Sequence, residues 1–450
     1  MNNFFLSSIL FFSIIVANAQ TKVTSQSELN TAISSANAGT TIILANGIWN
    51  NLQLNINKNG TFSKPIIIKA ETPNQVFIEG KSNIQLGGSY IIFEGFVFQN
   101  ASNLEVLNDK IESLITFRAG GNDCNNCTVT NIKIDSYNGT IAQNTTVFKW
   151  ILLYGSYNEI SHSSFIGKNG VGSIINDNRS DSLADYHKIH HNYFADRTPV
   201  NNDINGLNDQ DAIRIGTSTT SLSNSYSEVY NNFFYNWSGE VEIISNKSGK
   251  NKYYNNTFRD YQGTLTLRHG NGCEVFNNYF FANNNTFTGG VRIIGEDHKV
   301  YNNYIEGINS FKPTGSSSNV TGGINVMNGV TNPELNEYSQ VKNAVVINNT
   351  FVNCDYALRI GTSLGGTEEP VNLTVANNIM YNTSIDAYQI NTTPTGTYVS
   401  EGNITNLSNS DMSDDGNFYR ITNGSAPINA SIGTYSFLTE DILGGVRDQS

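Results

Sequence analysis

Short runs of β-branched and aromatic residues separated by polar turns fill most of the chain. They read TIILANGIW from Thr41, PIIIKAETPNQVFIEG from Pro65, YIIFEGFVF from Tyr90 and VTNIKIDSY from Val129. Apolar and polar positions alternate within the runs, as half-buried strands require. A phrase of the form aromatic-Asn-Asn-x-Phe then recurs, as YNNFF at Tyr230, YNNTF at Tyr254, FNNYF at Phe276 and YNNYI at Tyr301, with INNTF at Ile347 and ANNIM at Ala376. Its second Asn falls at 232, 256, 278, 303, 349 and 378, in steps of 24, 22, 25, 46 and 29, the 46 reading as close to two coils. A period in the low twenties built of short strands and Asn-containing turns predicts an all-β, single-domain right-handed parallel β-helix, each coil stacked about 4.8 Å above the last. Equivalent Asn side chains would then bond along the solenoid as a ladder. The Leu-x-x-Leu-x-Leu pattern of leucine-rich solenoids is missing.

The solenoid is expected to begin near Thr41. Before it, Ser25 to Glu28 forms a capping-box signature, Leu29 and Ile33 share a helical face, and Gly39 supplies a stop, which predicts a short helix covering the N-terminal end. Beyond Ser410 the pattern fades without an obvious terminal cap. At the N-terminus an apolar run from Phe4 to Val16 precedes small residues at Ala17 and Ala19. A secretory signal peptide over 1–19, cleaved before Gln20, leaves 20–450 as the β-helix domain and predicts a secreted or periplasmic protein. The run is too short to span a membrane.

Composition adds two constraints. A net charge of −12 argues against nucleic acid as a partner, while a local positive stripe can still steer an anionic sugar polymer. Of the four cysteines, Cys124 and Cys127 have the spacing of a zinc half-site with nothing to complete it, so a local disulfide or two buried thiols is expected; Cys273 and Cys354 read as core residues.

Only 14% of residues are charged, so the stretch GEVEIISNKS from Gly239 stands out, together with GTLTLRHG from Gly263. Strand alternation places Glu240 and Glu242 outward with Val241 buried, and Arg268 outward with Leu265 and Leu267 inward. Lys247 lies 9 residues before Asn256, Arg268 10 before Asn278 and Arg292 11 before Asn303, which predicts three cations stacked on successive coils. Such a stripe suits a carboxylated polysaccharide and, with two carboxylates beside it, β-elimination on a uronic acid. The C5 proton of a uronate is weakly acidic until its carboxylate is neutralised, a task for a bound cation. Glu240 and Glu242, with an amide oxygen such as that of Asn208, offer hard ligands for Ca2+. Lys247 then fits the base, Arg268 the group at the leaving oxygen, and Arg292 a clamp on a neighbouring carboxylate.

At these residues the sequence resembles polysaccharide lyase family 6, whose members are alginate lyases and chondroitinase B on a right-handed β-helix. The phrases GEVEIISNKS (239–248), GTLTLRHG (263–270) and GGVRIIG (289–295) carry the resemblance. It implies Lys247 as Brønsted base, Arg268 as Brønsted acid, and Glu240 and Glu242 as calcium ligands. The third ligand, an Asn six residues before the Arg of an IRIG phrase, becomes Asn208, with Asn205 as the rival and Asp211 as an assisting acid. His269 is a candidate substrate contact or a buttress for Arg268, and Lys168 and Tyr154, on earlier coils, are candidates for lining the substrate path. His187, His190 and His191 are read as lying around a turn. Alginate is the expected substrate, because GGVRIIG is more like the alginate lyases; a dermatan sulfate or chondroitin lyase of the same family is the alternative. An inverting hydrolase lacks its aspartate pair here, and a non-catalytic glycan-binding module would need no base, acid and cation site together.

Overall fold

The computed structural model describes residues 20–102, 104, 113–138, 147–204 and 206–447; the expected signal peptide and Asn205 lie outside them. Three sheets run the length of a β-helix, parallel but for the antiparallel pair Arg118–Ala119 and Asn122–Asn125 in the second. The first has 14 strands, from Gln20–Val23 to Val399–Glu401, the second has 14, and the third has 12. Successive coils pair in register, as in Glu228↔Lys252, Lys252↔Glu274 and Glu274↔Lys299.

The repeated Asn-Asn explains how each coil turns its corner. The first Asn of the pair, at 231, 255, 277, 302, 348 and 377, sits at φ between 54° and 56°, a left-handed conformation that Asn tolerates better than most residues. The second points inward, and its Nδ2 donates to Oδ1 of its counterpart on the next coil. This ladder runs unbroken from Asn192 to Asn403 at 2.9–3.1 Å. Beside it the rings of Phe165, Phe194, Phe234, Phe258 and Phe280 stack at 4.6–5.1 Å between centroids, so each coil repeats both the polar and the apolar contact of its neighbour. Asn278 is fully buried and also accepts from the backbone N–H of Asn256 at 3.0 Å. Replacing it with Leu strands that N–H and the Asn256 amide, and we expect a loss of about 2–6 kcal/mol, read as a shift in the urea unfolding midpoint; a change below about 1 kcal/mol would deny the ladder its structural role.

Several sequence expectations change. Among the described residues the solenoid already includes Gln20–Val23, which pairs with Thr41–Leu44 ahead of the predicted start. The helix occupies Gln26–Ser35 and buries Leu29, Ala32 and Ile33. Ser25 caps it by accepting from the Glu28 N–H, but it ends at Ser35, well before Gly39. The 46-residue step is one coil, since Asn303 bonds directly to Asn349 and Lys299–Tyr301 pairs with Val345–Ile347. The extra residues form two long loops on either side of the strand Ile324–Met327. Past Ser410 the chain turns back along the outside. Tyr435, Phe437 and Leu438 cover Tyr301, Ile347 and Ala376 of the first sheet, while Met412, Phe418 and Tyr419 cover Tyr304, Val352 and Tyr381 of the third. Cys124 and Cys127 form a disulfide, and Cys273 and Cys354 are buried thiols. Among the described residues no helix is long and apolar enough to cross a membrane.

Candidate active site

Four neighbouring strands of the second sheet, Ile213–Ile215, Glu242–Lys247, Gly263–His269 and Thr288–Ile293, build a polar cavity of about 380 Å³. Arg214, Ser245, Thr266 and Arg292 form one row across them. Simple alternation would then put Glu242 and Lys247 on uneven footings, and two irregularities correct this. The pairing shifts between Glu242 and Ile244, so Ile243 and Ile244 both enter the core while Glu242 lines the cavity. It shifts again after Asn246, where Lys247 pairs with His269 and Arg268 becomes the extra residue, turned into the cavity.

The cavity therefore collects Lys247, Arg268, Arg292, Glu240, Glu242 and Asn208. The sequence reading of Val241 as buried in the core is corrected. It is half-buried, lines the cavity, and packs with Ile204, Phe287, Ile294, Val320 and Met327, a small apolar cluster outside the solenoid core. Nor do the three cations form one straight stripe. Arg292 pairs with Thr266, two positions before Arg268, and is 1% exposed.

Glu242 organises these charges. Its Oε1 accepts from Arg292 Nη2 and, at 3.3 Å, from Arg268 Nη1, while Oε2 accepts from Ser245 Oγ at 2.5 Å. Burial pushes this carboxyl up, but Arg292 and then Arg268 outweigh it and hold it at about 2. Glu240 behaves oppositely. Burial, then Asp211 and Glu242, raise it well above the usual carboxylate range, even though its Oε1 accepts from the Gln210 N–H at 2.8 Å. Burial also raises Asp211, against the pull of Arg214, whose Nη2 lies 2.5 Å from Asp211 and 2.6 Å from Asp209. Lys247 is lowered by burial first, then by Arg214, with Asp211 and Glu242 opposing.

These features fit a hard cation. Burial, and then the crowding of three carboxylates, push Glu240 and Asp211 toward the protonated form, the buried Oδ1 of Asp211 has no hydrogen-bond partner, and Asn208 is exposed at the cavity wall. A second group, Asp177, Asp185 and His187, brings ligand-type atoms within 4.8 Å of one another. There Arg179 already pairs with Asp185, and His187 Nδ1 accepts from the Asn158 N–H at 3.2 Å, which leaves the proton of the neutral ring on Nε2. A metal-binding histidine has the reverse arrangement.

The remaining candidates are placed as follows. His269 is buried behind Arg268, and burial, Arg268 and Lys247 press it down to about 3. Lys168 is buried, its Nζ donating to the carbonyls of Gly170 and Val171, away from the cavity lining. Tyr154 lies on an earlier coil with the Arg118 guanidinium 3.6 Å over its ring and its hydroxyl accepting from Asn178 at 2.8 Å. His190 ends a strand and His191 makes the turn at φ 55°, as expected. Sequence reasoning missed Asp209, Arg214 and Tyr338, all in the cavity wall. Arg214 was visible as the outward residue of IRIG; Tyr338 sits in a loop with no periodic signal.

The chondroitinase B family profile matches residues 23–423. The chain belongs to the chondroitinase B family. Among solved structures, the family 6 alginate lyase AlyGC is 31% identical over 92% of this chain, with a TM-score of 0.76. The match takes in 56% of AlyGC, so the chain spans about half the length of that relative. A mannuronic acid specific family 6 lyase from human gut microbiota is 28% identical, covering 83% of this chain and 82% of its own, with a TM-score of 0.73. Pedsa3628 from Pseudopedobacter saltans, 24% identical at a TM-score of 0.72 and covering 96% and 97%, shares the fold. No curated protein matches the chain.

Proposed function

We propose that this chondroitinase B family member is an alginate lyase that cleaves by calcium-assisted β-elimination, exported through residues 1–19 and acting through residues 20–450. The observation that carries the reading is the convergence of Lys247, Arg268 and the Glu240–Glu242 carboxylates on one cavity. A calcium ion held by Asn208, Glu240 and Glu242 would neutralise the uronate carboxylate and so acidify C5. Lys247, whose neutral form is favoured by burial and by Arg214, takes the C5 proton. Arg268 stabilises negative charge as it develops on the leaving glycosidic oxygen. Arg292 is committed to Glu242, so it acts by fixing that carboxylate before it holds any sugar. A solved relative named as an alginate lyase, and a second named as mannuronic acid specific, support alginate over dermatan sulfate as substrate.

The test is to present block-defined alginates and dermatan sulfate in parallel and follow the absorbance of unsaturated uronate, with and without a calcium chelator. The expected outcome is signal from alginate that the chelator removes and added calcium restores. Signal from dermatan sulfate alone would shift the substrate within the family, and cleavage without the chromophore would overturn elimination.

A further inference from the structure

Three of the chain's six histidines, His162, His190 and His191, meet on two neighbouring coils, where the chain turns from the first sheet toward the third. The candidate active site belongs to the second sheet. At this corner the left-handed position is taken by Asn131, His162, His191, Asn231 and Asn255 on successive coils, at φ between 50° and 56°. Two histidines thus interrupt a row of asparagines. The His162 and His191 rings stack at 5.0 Å, and the His190 ring lies edge-on to them, at 5.7 and 5.0 Å. The other three histidines, His187, His269 and His298, are buried elsewhere.

The surrounding hydrogen bonds fix which nitrogen carries each proton. Glu159 Oε1 lies 3.3 Å from His190 Nε2 and accepts its N–H, which leaves a bare lone pair on His190 Nδ1. Asn231 Nδ2 donates to His191 Nε2 at 3.3 Å, so the His191 proton is on Nδ1, which donates to His190 Nδ1 at 2.8 Å. His190 therefore has the carboxylate-backed arrangement of a metal-binding imidazole, the one that His187 lacks. Two nitrogens held about 2.0 Å from one ion and at right angles around it are about 2.8 Å apart, so the Nδ1 pair has the spacing of adjacent ligands on a tetragonal ion. Burial, then His190 and His162, press His191 below its ordinary value and favour the neutral ring that a ligand must be.

We propose that His190 and His191 bind a borderline divalent transition-metal ion, Cu2+ or Ni2+ ahead of Zn2+, through their two Nδ1 atoms. A small turn of each ring about its Cβ–Cγ bond aims both lone pairs at one point. The ion takes the place of the proton between the rings. That proton moves to Nε2 of His191, where Asn231 meets it by turning its amide oxygen toward the ring, so the exchange releases no net proton. Glu159, whose Oε1 also accepts from Ser161 Oγ at 2.8 Å, keeps His190 in the ligating tautomer. Imidazole nitrogens suit these ions, whereas Ca2+ takes oxygen ligands. Water completes the coordination, and His162 stays beside the pair.

His191→Asn restores the residue that nearby coils carry at this left-handed position, so the variant keeps its fold. Full-length wild type and variant are titrated with Ni2+ by calorimetry, with Ca2+ in excess to occupy the carboxylates of the cavity. The wild type should bind one Ni2+ per chain with a Kd of about 10–100 µM, and His191→Asn should weaken this by at least about tenfold. Glu159→Gln, which keeps both ligands and removes the carboxylate behind them, should also cost about tenfold. With Cu2+ in place of Ni2+, the electron paramagnetic resonance spectrum of the wild type should show coupling to both imidazole nitrogens, and that of His191→Asn should lose one. Equal Ni2+ affinity in the wild type and His191→Asn, or no saturation of the wild type below about 1 mM, overturns the proposal. The lyase reading rests on other residues and stands or falls separately.

Discussion

Replacing Lys247 by Ala should lower kcat on alginate by about 10²–10⁴-fold, the range lost when a positioned general base is removed, while circular dichroism and the unfolding midpoint stay near those of the wild type. The side chain is half-buried at the end of a strand, and burial together with Arg214 already disfavours its charged form, so its removal takes away no paired ion on which the fold depends. Lys247→Arg should be as inactive as the Ala variant, because a guanidinium does not shed its proton at accessible pH. The pH dependence follows from the same shift. Below its pKa Lys247 is an ammonium and cannot accept a proton; above it, the amine can. In the wild type, kcat/KM should therefore rise with pH and level off at a midpoint below the ordinary lysine value of about 10.4. A flat profile with a fully active Lys247→Ala would remove the base from the account.

Arg268→Ala should cost about 10²–10³-fold in kcat, the magnitude seen when one preorganised donor to a developing oxyanion is removed. Three contacts disappear together: the 3.3 Å approach to Glu242, the hydrogen bond to the Tyr338 hydroxyl and the guanidinium over its ring. Glu242 keeps Arg292 and Ser245, so the carboxylate remains in place and the protein folds. Arg268→Lys keeps the charge but loses the planar fork, and should recover only part of the rate. Steady-state kcat and KM separate this from a binding defect, since a residue acting on the transition state lowers kcat with little change in KM.

The solenoid was legible because its determinants repeat. A left-handed Asn followed by an inward Asn, coil after coil, leaves a periodic trace that a single sequence displays. Lys247, Arg268 and the two glutamates were legible for a related reason, as charges set at near-constant offsets from that trace in a chain with few charges. What stayed hidden is what breaks periodicity. Alternation alone buried Val241, which lies in a bend just before the strand Glu242–Lys247, where alternation does not hold; the shifted pairing at Ile243 and Ile244 was equally invisible without the neighbouring strand. Lys168 was a candidate for lining the substrate path, yet it is buried with its amine on the carbonyls of Gly170 and Val171. The expanded coil between Asn303 and Asn349 mimicked two ordinary ones by length, and so concealed the loops that deliver Val320 and Tyr338 to the cavity. Arg292 was placed correctly on its strand but given a free guanidinium, since the sequence does not show that Glu242 reaches across two coils to meet it.

Whether neighbouring coils of one solenoid make an elimination site is decided by the mass of the cleavage products. If the account is right, every new non-reducing end released from alginate by the wild-type protein is lighter by one water than a hydrolytic end and carries the unsaturated chromophore. Products of full hydrolytic mass would contradict it.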